Sequence, residues 1–335
     1  MAAHAADVGI QNPIGGSSDF IDGTRARPAP GGLSLPALMG IAAFVALGLT
    51  NAKAQDAEPR SYTNTPVGLN FILAGYGLAE GRIAFDPSLP IADAQFRTNT
   101  AAFAYVRSLD VLGMSAKLDV LLPYSAFSAN GLVAGQPRER EIAGFGDPRF
   151  RFSINLFGAP ALSVEEFANY QQDLIIGASL QVSAPLGQYD DTKLLNLGNN
   201  RWSSKLELGI SKAWGSWAAE VAPSVTIYTD NIDFYNDKTF SQAPIYALQG
   251  HILYTFQSGA WVSLDGIYFT GGGTVVNDVK SDNEQRIARA GLSFALPLDR
   301  HNSVKLYAST GVATRTGSEF SGFGIAWQYR WGEGY

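Results

Sequence analysis

Charged side chains recur in this sequence at two-residue spacing inside otherwise apolar stretches: Lys117 and Asp119, Arg149 and Arg151, Lys205 and Glu207. On an extended chain, residues i and i+2 point to the same side, so each pair shares a face. The same parity adds Glu220, His251, Asp265, Arg289, Lys305 and Arg330, with Tyr228 and Tyr307 on matching faces. Seven of these residues are basic and four acidic, His251 aside. Gathered around one cavity, they would form a mildly basic, partly paired wall suited to guiding anions or polarised neutral molecules, with two phenol rings offering apolar faces to an aromatic solute. The same charges, satisfied by one another, would also serve simply to fill and stabilise a barrel interior.

Other chemistries are poorly supplied. Without cysteine there is no disulfide framework, thiolate metal site or thiol nucleophile. Three histidines leave little for a His-rich metal centre, and no metal or cofactor is expected. Hydrolysis at a lipid surface would need a Ser and His pair on a lipid-facing exterior. His251 instead shares the parity of the charged set, His301 falls in a short turn and His4 lies in the amino-terminal lead, so no enzyme is expected. The run Gly271-Gly272-Gly273 is followed by neither a helix nor Lys-Ser/Thr, which makes it a turn and not a phosphate cradle. The aspartates Asp190, Asp191, Asp230, Asp233 and Asp237 lack EF-hand spacing and read as turn formers. A net charge of -6 argues against a nucleic-acid partner.

The elements that must position the charged set follow from length and period. Charged residues are 16% of the 335, against about 25% in a typical soluble chain. At the amino terminus, Arg25 and Arg27 precede an apolar stretch, and Ala52-Lys53-Ala54 forms an A-x-A pattern, so residues 1–54 read as a lead plus a signal peptide cleaved near Ala54. Its core, Ala37 to Leu49, has 13 residues, short of the ~20 of a membrane-spanning helix. Residues 55–66 would then be a periplasmic segment and 67–335 the folded domain.

Twelve alternating segments are expected, near 67–78, 95–108, 114–124, 148–157, 173–185, 202–214, 217–228, 244–256, 261–269, 285–297, 303–313 and 322–331. Most are longer than the ~5–6 residues of a soluble strand and match the ~9–11 of a tilted strand crossing a bilayer. In the first two the parity is ambiguous. Connections alternate long and short, with 79–94, 125–147, 186–201, 229–243 and 270–284 long, as in outer-membrane barrels. The exception, 158–172, reads either as a short helix capped by Ser163 and Glu166 or as a plain turn. Trp202, Trp214, Trp217, Trp327 and Trp331 fall near strand ends on the apolar face, where a barrel's aromatic girdles lie. The fold expected is all-β, a 12-stranded antiparallel transmembrane barrel of the bacterial outer membrane. Its partners would be the lipid bilayer, lipopolysaccharide and a small solute. Such a ring encloses a lumen on the order of 10 Å.

Several blocks carry a resemblance to a known family: Gly144-Phe145-Gly146-Asp147-Pro148, Pro185-Leu186-Gly187-Gln188-Tyr189, Asn196-Leu197-Gly198-Asn199-Asn200-Arg201-Trp202 and the tail Ala326-Trp327-Gln328-Tyr329-Arg330-Trp331. Together they resemble outer-membrane transporters associated with the meta-cleavage pathway of phenol degradation. That resemblance implies passage of hydrophobic or aromatic compounds across the outer membrane. The terminal strand, with Gly324, Trp327 and Tyr329, also looks like the signal read by the barrel-assembly machinery, a further expected partner. A closed-lumen barrel with a structural or surface role is the alternative, and an inward fold of 125–147 would favour it.

Overall fold

Period-two alternation requires a surface with two different sides, and a sheet closed on itself supplies them. The computed structural model describes residues 58–82, 91–316, 319–332 and 334. Residues 1–57, with the expected cleavage point at Ala54, lie outside the described residues, as do residues 83–90 of the connection expected at 79–94, whose remaining residues belong to strands. Among the described residues, the chain begins with β1 (Leu69–Arg82), β2 (Ile91–Val111), β3 (Met114–Val133), β4 (Gln136–Phe145) and β5 (Arg149–Phe157). A helix α1 (Val164–Phe167) precedes β6 (Leu174–Ser183), β7 (Ser203–Trp214), β8 (Trp217–Tyr228), β9 (Asn231–Phe234) and β10 (Lys238–Gln242). The remaining strands are β11 (Ile245–Thr255), β12 (Trp261–Gly271), β13 (Thr274–Val276), β14 (Val279–Lys280), β15 (Gln285–Pro297), β16 (Asn302–Thr316) and β17 (Glu319–Gly332).

Twelve of these, β1, β2, β3, β5, β6, β7, β8, β11, β12, β15, β16 and β17, pair in that order. Pairing of β1 with β17, from Leu69 opposite Gly332 to Arg82 opposite Glu319, closes the ring. Closure leaves no unpaired edge, the condition for strands to cross a lipid phase. The outward positions are apolar and exposed, as with Leu206, Leu208 and Ile210 on β7, Leu264 on β12, Leu292 on β15 and Ile325 on β17. Trp202, Trp214, Trp217 and Trp327 are exposed and Trp331 is partly so, whereas Trp261 is buried. We call the end where β1 begins and β17 finishes the terminal end, and the opposite one the loop end.

The stretch 125–147 is a hairpin and not the long connection expected. β3 runs on to Val133, turns through Ala134 and Gly135 at φ of 50° and 76°, and returns as β4. Two successive positive-φ residues give the turn whose twist matches a hairpin. β3 pairs with β4 above and with β5 below. Alternation is lost here because both faces of β4 are polar up to Glu141, with Arg138, Glu139 and Glu141 all exposed. Likewise, the connections 229–243 and 270–284 contain β9, β10, β13 and β14, which join as a four-stranded sheet. At the terminal end, α1 carries the capping box. Ser163 Oγ accepts from Glu166 N–H at 3.2 Å, and the Glu166 carboxylate accepts from Ser163 N–H at 2.8 Å. These bonds hold the Glu166 carboxyl below its ordinary pKa. Val164 of this helix packs with Leu69, Phe71 and Leu73 inside the wall.

Candidate functional site

Inward positions of the wall carry the charged set. Lys117, Arg149, Glu207, Glu220, His251, Asp265, Arg289, Lys305 and Arg330 are buried, and Asp119, Arg151, Lys205, Tyr228 and Tyr307 are partly buried. They do not form one continuous lining. Asp265 accepts from Ser293 Oγ at 2.9 Å and pairs with His251 Nδ1 at 2.8 Å. Both partners thus bond the carboxylate, and Ser293 is not bonded to the imidazole as a nucleophile would be. Arg289 stacks on Phe320 at 3.7 Å and donates to Phe320 O and Ser309 Oγ. Lys305 Nζ lies 5.4 Å from the centre of the Trp261 ring. The Tyr307 ring covers the space left open by Gly324. At the terminal end, Arg330 holds the β15–β16 turn by donating from Nε to Arg300 O at 2.7 Å.

The rest of the set converges on a piece of the chain itself. Residues 58–66, set apart in the sequence as a segment ahead of the barrel, run along its inner wall in the terminal half. The Glu58 carboxylate is ion-paired with Arg151, whose Nε also donates to Asp119 at 3.0 Å. Glu58 N–H donates to Gln249 Oε1, and Gln249 in turn donates to Glu207, which also receives Lys205 Nζ at 3.2 Å. Arg60 N–H donates to Glu220 at 2.7 Å, and Lys117 Nζ donates to Ser61 O at 2.6 Å. The Tyr62 hydroxyl donates to Glu207 at 3.0 Å. Its ring sits over Gly177 and Gly209, paired across β6 and β7, where a Cβ on either glycine would overlap it. A buried charge must be paired or hydrogen-bonded. The segment does this for the lumen by supplying an acid, two carbonyl or amide groups and a phenol.

At the loop end, the family-like blocks come together. Asp147, 1% exposed, accepts from Gly187 N–H at 3.0 Å and from both Asn199 N–H and Nδ2 at 2.9 Å. Gln188 N–H donates to Phe145 O, and Gly198 N–H to Gln188 O. A side chain at Gly187 or Gly198 would collide with this knot, which is why the backbones can approach so closely. The knot holds the connection 184–202 in the mouth, where Leu197, with Leu195 beside it, packs against Phe96, Phe127 and Phe320 of the inner wall. The inward-folded connection is therefore 184–202, while 125–147 stands up as a hairpin. Replacing Asp147 by Ala removes three hydrogen bonds to a charged acceptor, each worth roughly 1.5–3 kcal/mol. We expect D147A to expose 184–202 to a protease that leaves the wild-type barrel intact, a result read directly from cleavage-site sequencing.

Parity identifies wall residues but misses their partners. Glu58, Arg60 and Tyr62 sit in a stretch without period, and Arg201, Phe240 and Gln242 sit in connections. One signal was readable. Gly177 and Gly209 occupy inward positions of otherwise well-filled strands, and glycine inside a strand often marks close approach of another group.

Among curated proteins, none matches this sequence. The fold is similar to that of the COG4313 outer membrane channel from Pseudomonas putida F1, with a TM-score of 0.69 and 18% identity over 82% of this chain and 100% of that one. Lower similarities are to the β domain of the Bordetella autotransporter BrkA (TM-score 0.46, 10% identity, 79% of this chain and 100% of that one) and to the CymD monoaromatic hydrocarbon channel (TM-score 0.40, 8% identity, 81% and 90%). The family model described as "Putative MetA-pathway of phenol degradation" matches residues 82–329, most of the chain, and the protein belongs to that family.

Proposed function

We propose that the protein sits in the bacterial outer membrane and passes small, largely apolar solutes, aromatic ones included, by diffusion through its barrel. The observation that carries this reading is the inward-facing apolar cluster of Phe96, Phe127 and Phe320 at the loop end. Barrel interiors are usually polar, and an apolar patch facing inward at the mouth gives a hydrocarbon solute a place to leave water. Leu197 fills that place in this structure, so a solute would compete with a side chain of the connection 184–202. The loop end would face outward and the terminal end the periplasm, following the usual asymmetry of such barrels. Lipopolysaccharide and lipid would surround the apolar exterior. The charged wall residues, Arg149, Arg151, Lys205 and Glu207 among them, would then bias which polar groups a solute can carry.

A second reading, a closed barrel with a structural or surface role, is favoured by the segment 58–66 lodged in the lumen. Uptake separates the two. Cells expressing the protein should take up a radiolabelled benzenoid solute several-fold faster than cells with an empty vector, and Phe127→Asp should lower that rate. Equal uptake by expressing and control cells, with the barrel demonstrably folded in the outer membrane, would favour the structural reading.

A further inference from the structure

At the loop end, the inner faces of β5, β6, β7 and β8 enclose a small cavity with the connection 184–202 and Gln242. Its volume is about 20 Å³, more than the ~10–15 Å³ needed by one water, so it suits a group of few atoms. Arg149, Arg201 and Lys205 line it and no carboxylate does. Arg201 is 6% exposed. Its guanidinium lies between the Tyr228 and Phe240 rings, at 4.4 and 4.8 Å, and Nη2 donates to Gln242 Oε1. That clamp fixes the fork in place. Arg201 Nη1 has no protein acceptor, nor does Ser183 Oγ have a protein partner, and both residues border this cavity. A buried donor left without an acceptor is costly, and a charged one more so. Burial lowers the Arg201 pKa to about 10, which leaves it a cation at neutral pH.

We propose that this pocket binds the carboxylate of a small organic acid, with Arg201 Nη1 and Ser183 Oγ as its donors and the Arg201 cation balancing its charge. Two oxygens meet donors on two separate elements, and a fixed guanidinium is the group best matched to a carboxylate. With room for little more than one water, the cavity takes the carboxylate alone and leaves the hydrocarbon part of the acid outside it. Binding requires only the folded barrel, so this inference stands or falls independently of any flux.

Calorimetric titration of the detergent-folded barrel at fixed ionic strength tests it, with sodium benzoate, neutral benzamide and sodium chloride as probes. Benzoate should bind saturably, and benzamide at least about tenfold more weakly. Arg201→Met should weaken benzoate by a similar factor, and Ser183→Asp, which supplies a carboxylate from within, should abolish its binding while the barrel keeps its heat-modifiable mobility. Equal binding of benzoate and benzamide would overturn the proposal. So would full displacement of benzoate by equimolar chloride, which would assign the pocket to a halide. Wild-type affinity in a folded Ser183→Asp barrel would overturn it even where Arg201→Met does not fold.

Discussion

Removing residues 58–66 raises the single-channel conductance of the barrel by about five- to tenfold, as expected when a lumen on the order of 10 Å loses the chain that shares it. The wall does not depend on this segment, because its strands close on each other through backbone hydrogen bonds from β1 to β17. What is lost is a set of side-chain bonds: Glu58 to Arg151, Tyr62 to Glu207 and Lys117 to Ser61. Arg151 keeps Asp119, and Glu207 keeps Lys205 and Gln249, so few charges are stranded and the shortened protein should fold. The loop end stays narrowed by Leu197. Deletion combined with D147A should therefore conduct more than deletion alone. Planar-bilayer recordings on the refolded variants give both comparisons.

The second large effect is expected at Gly209. A Cβ there would overlap the Tyr62 ring, which lies over Gly209 and its cross-strand neighbour Gly177 and packs with Ile175 and Ala222. Gly209→Val should expel Tyr62 and reproduce most of the conductance gained by the deletion. β-branched residues suit strands, so the wall itself should tolerate the change. The decisive control is a double-mutant cycle. In a Tyr62→Ala background the socket is already empty, and Gly209→Val should add little to either conductance or denaturant sensitivity. Were the effect of Gly209→Val the same in both backgrounds, it would arise in the wall and not through Tyr62.

Most of the wall is legible in the sequence wherever its two sides meet different surroundings. In β7, Leu206, Leu208 and Ile210 face outward while Lys205 and Glu207 face inward, and the alternation is plain. It fails in β1, because Phe71 and Leu73 pack inward with Ala102, Ala104 and Val106 while Ile72 and Leu78 face outward, so both sides are apolar. It fails again in β4, where both sides are polar up to Glu141. The site is legible only in half. Glu207 and Lys205 are found by parity, but Tyr62, which bonds Glu207 from 145 residues away, belongs to a segment with no period. The blocks around Asp147, Gly187 and Asn199 read separately as turns. That they form one knot depends on three connections meeting, and no local pattern encodes that.

The chain's own segment 58–66, bonded along the inner wall, narrows a lumen that is otherwise wider. The protein has no cysteine, so a paired substitution, Tyr62→Cys with Gly209→Cys, can report on this contact alone. The overlap at the glycine implies a Cβ separation near the ~3.8 Å that a disulfide prefers. Single-channel conductance of this variant should be low when oxidised, rise on reduction to near that of the deletion, and fall again on reoxidation. One conductance, unchanged between the oxidised and reduced states of a barrel whose crosslink is verified by mass, would mean that the segment does not limit conduction.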